Sequence, residues 1–79
     1  PYLHLGLHLA IRDQVATDRP PGIRALFERL AAAAGDAHAA EHGMLECLAE
    51  SLWEAQRAGI MPDEKRYLEG LRRLDGSRL

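Results

Sequence analysis

Leu3-His4-Leu5-Gly6-Leu7-His8-Leu9 is the stretch that decides the fold, because it can be read in two ways. Leucine alternates strictly with His4, Gly6 and His8, the period-two pattern of a half-buried strand. The run continues as Ala10-Ile11-Arg12-Asp13-Gln14-Val15-Ala16, a good helical sequence, and the rest of the chain offers no second strand for it to pair with. Helix is therefore the reading over residues 1–16, and with it the whole chain becomes all-α. Leu3, Leu7, Ile11 and Val15 then lie on one side and Leu5 and Leu9 on another. A helix apolar nearly all round is buried on more than one side, so cover is expected from a second copy of the chain, as a homo-oligomer, or from an N-terminal segment preceding Pro1.

The remainder supports helix throughout. The chain has 79 residues, 47% of them hydrophobic, and that share is mostly Ala and Leu; the β-branched residues are only Ile11, Val15, Thr17, Ile23 and Ile60. Thr17-Asp18-Arg19-Pro20-Pro21-Gly22 is the first break, with Pro21 suited to a first helical position. A second helix runs from there to Ala34 with Ile23, Leu26, Phe27, Leu30 and Ala34 as its apolar stripe. Gly35 closes it and Asp36 can cap the next. The third helix, 37–58, carries Met44, Leu45, Leu48, Ala49, Leu52 and Ala55, with Trp53 at one edge, and Gly59 ends it. Pro62 opens a fourth, with Tyr67, Leu68, Leu71 and Leu74 as its stripe and Gly76 as its stop. The expectation is a small bundle of about four antiparallel helices, one domain over residues 1–79 and a fragment of a longer chain.

Four histidines make two pairs, His4 with His8 and His38 with His42, each spaced i, i+4. On a helix that spacing puts both rings on one face about 5–6 Å apart at Cβ, close enough to share one metal ion. Four histidines placed at random form two such close pairs in only about one arrangement in a hundred. In an up-down-up-down bundle the first and third helices run the same way, so both pairs, each in the first two turns of its helix, fall at one height. The candidate metal ligands are His4, His8, His38 and His42, with Glu46 one turn beyond His42, and Glu41 as ligand or outer partner. Imidazole ligands with or without a carboxylate suit zinc, iron, nickel or copper, zinc and iron being the leading candidates. His38-Ala39-Ala40-Glu41-His42 also matches the H-x-x-E-H pattern of inverted zinc peptidases, a five-residue motif of low specificity. Set against these readings is a non-enzymatic interaction or oligomerisation module whose histidines are hydrogen-bonded structural groups.

A net charge of -2 with both signs interspersed points neither to nucleic acid nor to an anionic membrane. No apolar run is long enough to span a bilayer. The single Cys47 excludes an intrachain disulfide and fits a reducing, cytoplasmic compartment. Nothing here names a substrate or decides whether the chain is an enzyme.

The order of motifs also carries a resemblance. Pro1-Tyr2-Leu3-His4-Leu5-Gly6-Leu7-His8-Leu9-Ala10-Ile11, Pro20-Pro21-Gly22-Ile23-Arg24, His38-Ala39-Ala40-Glu41-His42 with Met44-Leu45-Glu46-Cys47-Leu48, Leu52-Trp53-Glu54-Ala55-Gln56-Arg57 and Pro62-Asp63 with Tyr67-Leu68 span nearly the whole chain. Together they resemble a proteobacterial family of uncharacterised proteins, domain of unknown function eighteen forty-one. The resemblance implies a bacterial protein of which this chain is the C-terminal half, and it brings no activity with it. It favours His4, His8, His38, His42 and Glu46 as the positions that matter. The chain departs from the family pattern at Arg12, where an acidic residue is expected.

Overall fold

The computed structural model describes residues 2–76, with side chains from His4 onward, so the place of the Leu3 side chain in the first apolar stripe lies outside what is described. Four helices follow one another: α1 (Tyr2–Thr17), α2 (Ile23–Ala34), α3 (Ala37–Ala58) and α4 (Glu64–Gly76). The alternating leucines belong to a helix, as expected. The 22-residue α3 is the spine, and each of the other three helices packs against it. The core is a single cluster built around Ile11, Ile23, Leu30, Met44 and Leu71, whose side chains are fully buried. Each contributes about 1.5–3 kcal/mol by leaving water. Tyr67 joins it, with its hydroxyl donating to Gln14 Oε1 at 2.8 Å, a bridge from α4 to α1, two helices whose backbones do not meet.

The α1–α2 corner is held by reciprocal capping. Asp18, at φ 53, turns its carboxylate to accept from the backbone N–H of Gly22 at 3.2 Å and of Arg24 at 3.1 Å. Arg24 reaches back and donates to the last carbonyls of α1, from Nε to Val15 at 3.0 Å and from Nη2 to Ala16 at 2.6 Å. A carboxylate thus meets the positive end of α2 and a guanidinium the negative end of α1. This corrects one boundary: Pro21 lies in the turn and α2 starts at Ile23, because the Asp18 carboxylate takes the N–H groups that open the helix. Likewise α4 starts at Glu64, not Pro62, with Asp63 accepting from the Lys65 N–H at 2.9 Å. Gly35 and Gly59 end α2 and α3 at φ 70 and φ 69, a conformation that costs glycine nothing. Asp36 caps α3 by accepting from the His38 N–H at 2.9 Å.

One apolar position departs from expectation. Leu52 is exposed on α3, whose buried face is Ala40, Glu41, Met44, Leu45 and Ala55, and Trp53, at the edge of the stripe, is exposed beside it. Among the described residues the side-chain contacts of α1 with α3 fall at His38, Glu41 and His42, well before Leu52. Leu5 and Leu9 are also exposed, on the face of α1 opposite the core residues Leu7 and Ile11. Among the described residues no helix is long and apolar enough to cross a membrane.

Candidate metal centre

His4, His8 and Arg12 succeed one another at four-residue spacing along α1, and His38, Glu41 and His42 occupy the first turns of α3. The two helices bring these groups face to face. The centroid of the His8 ring stands 4.5 Å from that of His4, 5.0 Å from His42 and 6.0 Å from His38, the last a stacked pair with 10° between planes. His4 lies 5.4 Å from His42, and His38 5.2 Å from His42. All four rings therefore form one cluster. Across the two helices His42 faces both His4 and His8, His8 also stacks on His38, and Arg12 meets the same Glu41 as His8 does.

One potential ligand atom each from His4, His8 and His42 lies within 4.8 Å of the others. His4 is exposed and His8 and His42 are half-buried, so the group sits at the rim of the bundle with one side open to solvent. His38 is exposed and stacks on the group without contributing an atom to that triangle. Glu46 is exposed farther along α3 and is not brought into the group.

Glu41 is the buried charge of the site, only 8% exposed. Its Oε1 accepts from His8 Nδ1 at 2.9 Å and from Arg12 Nε at 3.1 Å. Burial pushes its carboxyl pKa up, but the His8 hydrogen bond and the charge and hydrogen bond of Arg12 outweigh it, and the group is held below the ordinary 4.5. An ionised carboxylate only accepts, so His8 Nδ1 carries a proton, and in the neutral ring Nε2 then presents its lone pair. That nitrogen stands 2.9 Å from His4 Nε2. Two nitrogens on one tetrahedral zinc are about 3.3 Å apart, so the spacing serves either a hydrogen bond from His4 to His8 or, with a slight opening, two ligands of one ion. A carboxylate behind a histidine, fixing its tautomer and orientation, is the arrangement that metal-ligating histidines generally have.

Arg12 is the functional neighbour that reading by histidine spacing passed over. The signal was present, since Arg12 follows His8 by one helical turn and shares its face. Cys47 lies apart from the cluster and is half-buried; burial, then the charges of Glu50 and Glu46, raise its thiol pKa and keep it protonated. It is a poor ligand in that state.

The fold and site thus define a small all-α bundle with a histidine cluster where its first and third helices meet. The chain belongs to the family described as domain of unknown function (DUF1841), whose model matches residues 1–73. No curated protein and no solved structure matches it.

Proposed function

We propose that this domain binds one transition-metal ion, zinc or iron, through His4, His8 and His42, with His38 swinging in as a fourth ligand. The observation that carries the reading is the convergence of three imidazole nitrogens from two helices in contact within 4.8 Å. Glu41 supports it by orienting His8, with Arg12 compensating the buried charge behind it. Three histidines suffice for a tetrahedral ion that keeps one position open; four close it. Glu41 accepts two hydrogen bonds and has a lowered pKa, which leaves it ill-suited as the general base that the H-x-x-E-H pattern would need. The free thiol of Cys47 fits a reducing cytoplasm.

The test is metal analysis of protein purified without an affinity tag, followed by thermal unfolding with and without added zinc. The expected result is close to one equivalent of a transition metal, and a midpoint that rises with zinc because the ion binds the folded state. Less than a tenth of an equivalent, with no gain on adding zinc or iron, overturns the reading.

A second reading is a module that associates through α1, either with another copy or with a further segment of its own protein. Leu5 and Leu9, 59% and 56% exposed one helical turn apart, favour it. Sedimentation of the full chain decides it: a compact monomer at all concentrations excludes self-association.

A further inference from the structure

A cavity of about 320 Å³ opens between α1, α2 and α3 and is lined by Ile11, Arg12, Val15, Ala16, Phe27 and Glu41. Four of its six residues are apolar: Ile11 forms the buried floor, Val15 and Phe27 are half-buried walls and Ala16 is at the open side. Its polar wall is one ion pair. Arg12 spends Nε on Glu41, and among the described residues its two terminal nitrogens make no hydrogen bond. The side chain is 67% exposed, so the outer edge of the guanidinium fork stands at the rim, next to apolar walls.

We propose that this cavity binds a medium-chain aliphatic monocarboxylate. The carboxylate takes the free edge of Arg12, the planar fork that matches it in a bidentate fashion, and the hydrocarbon tail lies against Ile11, Val15 and Phe27. Glu41 occupies the guanidinium at Nε and offsets part of its charge, and the outer edge formed by the two terminal nitrogens stays geometrically open to a second carboxylate. The reverse polarity does not fit: an alkylammonium headgroup would face the outer edge of Arg12, and an alcohol would give that edge no charged acceptor. A second copy of the chain is a less apt occupant, since the opening is concave and its rim carries a charged group.

The ligand and the metal are separable, so the experiment is run on the chelator-treated full chain and repeated with zinc. Hexanoate, octanoate, octanol and octylamine are titrated while backbone amides are followed by NMR. Saturable one-site binding is expected, with octanoate favoured over hexanoate by about threefold to fourfold per methylene, and with octanol and octylamine at least tenfold weaker. The amide shifts should centre on Ile11, Arg12, Val15 and Ala16. Arg12→Gln should weaken octanoate about tenfold, and Ala16→Trp, which fills the open side without touching the ion pair, should abolish binding while amide dispersion shows the fold intact. Equal binding of octanol or octylamine, unchanged binding by Ala16→Trp, cavity shifts that follow protein concentration alone, or no saturation with octanoate would each overturn the proposal. Failure of zinc to bind leaves it standing, and failure of octanoate leaves the metal reading standing.

Discussion

Glu41 Oε1 accepts from His8 Nδ1 at 2.9 Å and from Arg12 Nε at 3.1 Å, so one buried carboxylate oxygen ties two consecutive turns of α1 to α3. Replacing it by Gln keeps the shape but removes the charge and lets the His8 tautomer relax. Glu41→Gln is expected to lower zinc affinity about 10–100-fold, the usual effect of losing the partner behind a metal-bound histidine, and to cost about 1–3 kcal/mol in urea unfolding. Unchanged zinc affinity would remove Glu41 from the site.

The same carboxylate gives a pH dependence with a definite sign. Its pKa is lower folded than the ordinary 4.5, so its contribution is fully present above pH 4.5 and is lost as pH falls through the folded value. Acid unfolding of metal-free protein should therefore be shallower in Glu41→Gln than in the wild type as the pH falls below 4.5. A parallel pair of curves would show that the ion pair does not stabilise the fold.

At the alkaline end the group is Tyr67. Burial, and then the nearby Cys47, raise its phenol pKa above the ordinary 10.0. An acid held neutral in this way stabilises fully below pH 10 only in so far as its hydroxyl keeps Gln14, and that stability drains away as pH rises through the folded value. Tyr67→Phe should cost about 1 kcal/mol at pH 7. Its alkaline unfolding should be flatter than that of the wild type, as read by circular dichroism.

At the α1–α2 corner, Asp18→Ala should cost about 1–2 kcal/mol, because it removes the acceptor for two N–H groups and places a Cβ residue without that compensation at φ 53. Asp18→Asn keeps an oxygen and tolerates the left-handed region, so it should lose well under half as much. Equal losses in the two variants would mean that the carboxylate charge at the α2 terminus, and not the cap geometry, carries the effect.

Much of this was legible in the residue pattern, for physical reasons that differ by region. Gly35, Asp36 and Gly59 act within a few residues of themselves, and the helix ends they mark stand where the sequence places them. Pro21 and Pro62 misled because a better acceptor, Asp18 or Asp63, had prior claim on the first N–H groups. The histidine pairs could be recognised as two local faces, and their meeting followed from helix order. That His42 joins His4 and His8 while His38 only stacks on the group did not, because it depends on how whole helix surfaces interlock. Nor could i, i+4 spacing choose between Glu41 and Glu46: both stand near His42 in sequence, but Glu41 shares the buried face with Ala40 and Met44, where α1 brings His8 and Arg12 to it. Leu52 reads as core by its spacing and is exposed, lying about two to three turns past the part of α3 where α1 contributes its described side-chain contacts.

X-ray absorption at the metal edge of the loaded, tag-free protein tests the central claim most directly. The expected spectrum has three or four nitrogen neighbours at about 2.0–2.1 Å with the outer-shell scattering of imidazole rings, and it loses a ring when His8 is replaced by Ala. A sulfur neighbour near 2.3 Å, which would bring in Cys47, or an oxygen-only shell would contradict a centre built by His4, His8 and His42.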